Sequence, residues 1–236
     1  MIGVYDYTVI LTYLSLLSAC SGMIIAMSGL GHPYIGMMFM LLSGLCDAFD
    51  GRVAGTKKNR TKLEKDFGVQ IDSFSDLIAF GVLPAAIGVS LLRASVRFSE
   101  VPYRLADSGR LCWYPAVLIA VALLYILAAM IRLAYFNVTE EERRREAEMK
   151  GAAYFTGLPV TTAALVFPMV LLLHYFLRFD LSIAYFVVMF IMALLFLGNF
   201  KIRKPGKKAL AWMVALGSGE LIMFLVIKAV KLFLRG

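Results

Sequence analysis

The chain has 236 residues, of which 61% are hydrophobic and only 17% charged, at a mean hydropathy of +0.79. A water-soluble domain of this length is closer to half apolar and a quarter charged, so the composition excludes an ordinary soluble fold and favours one polytopic membrane domain. The net charge of +8 does not point to nucleic acid, because the basic residues sit in short loops between apolar runs, where lipid headgroups and membrane orientation account for them.

The N-terminal MIGVYDYTVI lacks a basic leader and a small-residue cleavage site, so the first apolar run is expected to stay as a helix. Seven apolar runs follow in order: Thr8–Met27, Pro33–Phe49, Phe74–Leu92, Cys112–Phe136, Leu158–Leu177, Leu181–Phe200 and Ala209–Leu234. Most approach the roughly 20 residues needed to span a bilayer. This predicts an all-α transmembrane bundle of seven segments, with six or eight as alternatives. The second run is short and ends at a pair of aspartates, which places its last turn near an interface. The seventh contains GSGE at Gly217–Glu220, which allows a kink or a split into two shorter helices. Between the fourth and fifth runs, Thr139–Phe155 reads as a charged connecting helix, acidic residues first and basic ones after, an order that suits a helix dipole.

Lys and Arg counts give the orientation. The loops after the second, fourth and sixth runs, with the ends of those runs, carry sixteen of the twenty-four basic residues, among them Arg52, Lys57, Arg60, Arg132, Arg143 and Lys201. These loops and the N-terminus are expected in the cytoplasm. Trp113, Tyr114, Tyr154, Phe155, Tyr175 and Phe176 cluster near run ends, as interfacial aromatic belts do. Cys20, Cys46 and Cys112 have neither metal-ligand spacing nor an even count, and read as small core side chains. His32 and His174 form no zinc pattern and read as interfacial.

Four aspartates break the apolar pattern. Asp47 and Asp50 lie three apart, Asp72 and Asp76 four apart, so each pair shares a helix face. A loop of about twenty residues between the pairs lets the two helix ends meet as a four-carboxylate cup at the cytoplasmic end. Carboxylates at membrane depth are costly and repel one another unless cations join them. Hard divalent ions such as Mg²⁺ or Mn²⁺ take oxygen ligands readily, and two of them can bridge phosphoryl oxygens. Asp66, in the charged stretch, reads as solvated. Gly51, Ala54 and Gly55 are small enough to let a nucleotide or pyrophosphate near the backbone, whereas Gly81 suits close helix packing. A structural polar network or an ion path is the competing reading of the aspartates.

The run DAFDGRVAG…FGVQIDSFSD resembles the signature of the CDP-alcohol phosphatidyltransferases, with Asp47, Asp50, Gly51, Ala54, Gly68, Asp72 and Asp76 at its positions. Three later blocks, DSFSDLIAFGVLPA, RLAYFNV and YFTGLPV, look like those of the serine-transferring branch of bacteria and archaea; their anchors are Phe80, Gly81, Pro84, Arg132, Phe136, Asn137, Gly157, Leu158 and Pro159. There are two departures. Gly55 stands where the family usually has arginine, and the twelve residues between Gly55 and Gly68 make a longer gap than usual. The extra stretch is basic, and Lys57, Lys58 or Arg60 is a candidate to supply the missing charge.

The resemblance implies a six-helix family core over residues 1–200, with 201–236 adding a basic loop and a further C-terminal segment or split pair. It implies that Asp47, Asp50, Asp72 and Asp76 hold a pair of Mg²⁺ or Mn²⁺ ions and that Asp76 is the general base. Gly51, Ala54, Gly68, Arg132, Asn137, Lys57 and Arg60 are the implied substrate contacts. The implied reaction joins CDP-diacylglycerol and L-serine with release of CMP, in a homodimer embedded in a prokaryotic cell membrane. Glycerol phosphate or inositol phosphate as acceptor is the near alternative, and a cation carrier or channel the distant one.

Overall fold

A computed structural model describes residues 3–29, 33–94, 113–139, 154–177, 182–203 and 207–233. Among these, seven helical rods follow in chain order: α1 (Ile10–Ser28), α2 (Tyr34–Ala54), a rod made of α3 (Lys62–Asp76), a π turn (Leu77–Val82) and α4 (Leu83–Ala94), then α5 (Trp113–Val138), α6 (Ala163–Leu177), α7 (Ser182–Leu197) and α8 (Lys207–Phe233). The expected helical bundle of seven segments is what forms. One small departure from an all-α chain is an antiparallel pair of three-residue strands, β1 (Tyr154–Thr156) and β2 (Lys201–Arg203), with Phe155 opposite Ile202.

The spans Ile10–Ser28, Lys62–Arg93 and Pro115–Val138 are long and apolar enough to cross a bilayer, and Val160–Leu173, Ser182–Leu197 and Trp212–Val226 are shorter apolar helices. Their outward faces carry large apolar groups: Leu14, Leu17 and Ile24 on α1, Leu123 and Leu124 on α5, Leu194 on α7. The inward face of α1 is instead small and polar, with Thr12, Ser15, Ser18, Ala19, Gly22 and Ala26 buried. In lipid, apolar side chains gain little by turning inward, so close backbone approach and hydrogen bonds join the helices. The seam between α1 and α2 shows both. A Cβ on Gly22 would lie 2.7 Å from Phe39 Cβ. Ser15 Oγ and Ser43 Oγ are 2.7 Å apart, and Ser18 Oγ donates to the Phe39 carbonyl at 2.9 Å.

Tyr125, Tyr185, Phe167 and Phe196 fill the bundle centre, with the Tyr125 and Phe167 rings edge-on at 5.5 Å. The π turn sits against this cluster, and there Leu83 N–H donates five residues back, to the Ile78 carbonyl. Pro84 has no N–H to give the Phe80 carbonyl, its acceptor in a regular α-helix. The Tyr125 hydroxyl bonds that carbonyl instead, and the Tyr185 hydroxyl donates to the Pro84 carbonyl at 2.9 Å.

The structure corrects three sequence expectations. First, α2 runs through both aspartates to Ala54 and α3 begins at Lys62, so the connection is the seven residues 55–61 rather than about twenty. The early start of α3 is local chemistry: Thr61 Oγ1 accepts the Glu64 N–H at 3.2 Å and Glu64 Oε2 accepts the Thr61 N–H at 2.8 Å, a capping box ahead of the apolar stretch. Second, α8 passes unbroken through Gly217–Glu220, so the split pair does not form. Glycine in a helix costs about 1 kcal/mol without removing a backbone donor, and Gly217 lies where a Cβ would meet Leu165 Cδ2 at 3.3 Å. Third, Tyr154 and Phe155, the last two residues of the stretch read as a charged helix, lie in β1; its residues 140–153 lie outside the described residues, as do His32, Cys112 and the side chains of the aromatic belt positions.

Candidate active site

The last two turns of α2 and the last two of α3 meet beside α1. One carboxylate oxygen from each of Asp47, Asp50 and Asp72 lies within 4.8 Å of the others. Asp76, one turn deeper on α3, lies beside Asp47, and Asp72 beside Asp50. All four carboxylates are therefore brought together, paired from helix to helix. Carboxylates in contact need a proton or a cation between them. Asp50 and Asp76 are only 8% exposed, so bulk water does not relieve the repulsion. A cluster of oxygen donors and no nitrogen or sulfur ligand fits a hard divalent ion such as Mg²⁺ or Mn²⁺.

Helix α1 supplies a contact that the sequence reading missed. Thr12 Oγ1 donates to Asp50 Oδ2 at 3.2 Å, and Ser75 Oγ, next to Asp76, donates to the Thr12 carbonyl at 3.3 Å. Thr12 thus orients one metal-type carboxylate and braces the helix bearing another. Its signal was available in the small polar face of α1, which otherwise reads as packing.

The glycines divide by surroundings. A Cβ on Gly51 would meet nothing within 4 Å, which leaves open backbone beside Asp50; Ala54 is half-buried on the last turn of α2. A Cβ on Gly81 would meet Leu77 Cδ1 at 3.2 Å and Ala129 Cβ at 3.3 Å, which is the helix packing expected of it. A Cβ on Gly68 would fall 2.7 Å from Arg60 Nη2. Arg60 also donates from Nη2 to the Glu64 carbonyl at 3.0 Å. Lys57 is engaged elsewhere: its Nζ bridges Asp6 at 2.7 Å and Glu64 at 2.8 Å. The Lys57 hydrogen bond, helped by Thr8, holds the Asp6 carboxyl down at about 2. Lys58 is exposed, and so is Asp66, as its place in the charged stretch implied.

Arg132 is 4% exposed and does not snorkel. Its Nε donates to the Leu158 carbonyl at 3.1 Å and its guanidinium lies 5.7 Å from the Phe136 ring centre. Gly157 has φ +74 and a Cβ there would sit 2.8 Å from the Gly198 carbonyl, so only glycine fits this turn. The two later sequence blocks thereby fold into one unit. Asn137 bonds Ser73 Oγ at 2.8 Å, which ties α5 to the residue after Asp72.

Asp47 also opens onto a small groove between α2, α6 and α8, lined by Leu41, Leu45, Leu165, Met213 and Val214 among others. A charged mouth thus adjoins an apolar groove.

The family description "CDP-alcohol phosphatidyltransferase" matches residues 8–199 of the chain. The CDP-diacylglycerol–serine O-phosphatidyltransferase of Saccharomyces cerevisiae is 32% identical over 177 residues, covering 71% of this chain and 55% of its own. The enzyme of that name from Helicobacter pylori is 27% identical, covering 75% of this chain and 63% of its own. The archaetidylserine synthase of Methanothermobacter thermautotrophicus is 34% identical over 64% of this chain and 52% of its own. The chain thus spans between about half and two thirds of the length of these relatives. Matched over most of its length, with motif aspartates facing one another from two helices, this integral membrane protein belongs to the CDP-alcohol phosphatidyltransferase family.

Proposed function

We propose that this protein transfers the phosphatidyl group of CDP-diacylglycerol to the hydroxyl of L-serine, giving phosphatidylserine and CMP. The observation that carries the reading is the four-carboxylate cup at the mouth of an apolar groove. A charged headgroup and an acyl chain belong on those two surfaces. The relatives named for serine transfer support serine as acceptor.

Asp47, Asp50 and Asp72, with Asp76 beside them, would hold two ions of Mg²⁺ or Mn²⁺. Bound there, such ions neutralise pyrophosphate charge and polarise its oxygens. Gly51 and Ala54 leave room for the nucleotide to approach the α2 backbone. Asp76 takes the proton of the seryl hydroxyl. The serine oxygen forms a bond to the phosphorus that carries diacylglycerol, and the bond from that phosphorus to the CMP oxygen breaks in line. The electron pair leaves with CMP. A base must lie about 3 Å from the proton it removes, and a place deep in the cup, next to Asp47, suits that task. Arg132 and Asn137 serve at second hand, through the Gly157–Pro159 turn and through Ser73, with the serine carboxylate or a phosphate as their target.

The active end and the N-terminus face the cytoplasm of a prokaryotic cell, residues 1–200 form the catalytic core with 201–236 added to it, and the protein works as a homodimer. An acceptor screen on purified protein with CDP-diacylglycerol, run in Mg²⁺ and in Mn²⁺, tests the reaction. Serine-dependent CMP release is expected. Release with glycerol phosphate or inositol phosphate and not with serine would overturn the acceptor, and cation flux without CMP would overturn the enzyme.

A further inference from the structure

Of the three cations in the loop that joins α2 to α3, Lys58 is exposed, while Lys57 and Arg60 stand in contrasting states. Lys57 is held by two carboxylates, so its charge is already neutralised within the fold. Arg60 makes no salt bridge among the described residues. Its Nη2 donates to a backbone carbonyl, and its Nε is buried and finds no acceptor among the described residues. Its positive charge is thus met by no carboxylate among the described residues, unlike that of Lys57.

The place of that guanidinium is defined by Gly68. A Cβ on Gly68 would lie 2.7 Å from Nη2 and 3.9 Å from Cζ, so any side chain at that position would displace the guanidinium. Gly68 precedes Asp72 by one turn on the same face of α3, about 6 Å along the axis. The guanidinium therefore stands at the outer end of the column that leads through Asp72 to Asp76. Across the mouth, Gly51 leaves open space beside Asp50. Glu64 braces the seat: its side chain caps Thr61 and holds Lys57, and its carbonyl takes Arg60.

We propose that Arg60 is the phosphate-recognising cation of this site, holding an oxygen of the nucleotide pyrophosphate outside the carboxylate cup, while Gly68 stays bare to seat it and Lys57 serves only as a tether. This rests on the phosphatidyl-transfer reading. A guanidinium presents planar, parallel N–H donors to phosphate oxygens, which an ammonium does not.

The test is equilibrium binding of CDP and of cytidine to the purified full chain in Mg²⁺, with CMP release from CDP-diacylglycerol measured alongside. Arg60→Ala should weaken CDP binding about 10- to 100-fold, as loss of a charged hydrogen bond does, and leave cytidine binding unchanged. Gly68→Ala should weaken CDP binding in the same way by displacing the guanidinium, and the double variant should be no worse than R60A alone. Gly55 has an ordinary φ of −69 and its Cβ position is clear to 3.4 Å, so Gly55→Arg in the R60A background should restore CDP binding. R60A that binds CDP as well as the parent overturns the proposal. So does R60A that loses CDP and cytidine equally with a lowered melting temperature, because Arg60 is then only structural. A parent protein that neither binds CDP nor releases CMP overturns the phosphatidyl-transfer reading itself.

Discussion

The aromatic centre and the carboxylate cup are both buried polar sites in the same bundle, and they are satisfied in opposite ways. In the centre, the Tyr125 and Tyr185 hydroxyls each find a backbone carbonyl, so that region is complete within the chain. In the cup, carboxylates meet carboxylates, and Thr12 is the one neutral side-chain donor the described residues bring to them. The centre is built to hold the fold, and the cup is built to be completed from outside. Burial alone does not separate the two, since Asp76 at 8% exposure is nearly as enclosed as the tyrosines. What separates them is whether the partner group is in the chain.

The sharpest way to break this contrast is at Asp76. Asp76→Asn should lower turnover by about 10²- to 10⁴-fold, the usual worth of a positioned base, while CDP-diacylglycerol binding persists. Activity near the parent level would remove the base assignment. Asp47→Asn or Asp72→Asn should instead lose both metal binding and turnover, and isothermal titration with Mn²⁺ distinguishes the two classes.

Chelation comes next in size. Stripping divalent ions should stop CMP release and also lower the melting temperature, because the unscreened carboxylates then strain the α2–α3 junction. The shift should shrink in an Asp47→Asn/Asp72→Asn double variant. An equal shift in both proteins would show that the ion is not held in the cup.

Two smaller effects sharpen the comparison. Thr12→Val should reduce turnover about tenfold, the worth of one hydrogen bond to a charged group, with little loss of stability. Tyr125→Phe should do the reverse, costing about 1–2 kcal/mol of stability by leaving the Phe80 carbonyl unmatched with turnover nearly intact. If both variants lost activity and stability together, the two regions would not be separable.

The smallest effect lies at the Asp6–Lys57 tether. Asp6 is held at about 2, below its ordinary 3.8, so its contribution is fully present above pH 3.8 and disappears as the pH falls from there towards 2. Both groups are open to solvent and salt screens them. Asp6→Asn should therefore change melting temperature little at neutral pH and abolish whatever pH dependence the tether brings to that acidic window.

The bundle was largely legible in the sequence because lipid demands it: backbone groups in hydrocarbon must pair within their own segment, so long apolar runs become helices. The aspartates were legible because charge at membrane depth has few harmless explanations. Less visible were the short loop 55–61 and the early start of α3, although Thr61-x-x-Glu64 is a local signal for it. The π turn after Asp76 was not legible at all. It stands beside Pro84, which removes one donor, and Tyr125, forty-five residues beyond Phe80, which supplies another.

Which residues can carry the chemistry and which segments lie in lipid follow from residue type and spacing along one chain. How the aspartates pair across helices, that Thr12 reaches Asp50, and which loop cation is already neutralised come from the folded chain. Those are matters of distance between segments remote in the chain. Lys57 and Arg60 are equivalent as charges in a sequence; only the folded loop gives one of them two carboxylates and sets the other against a glycine.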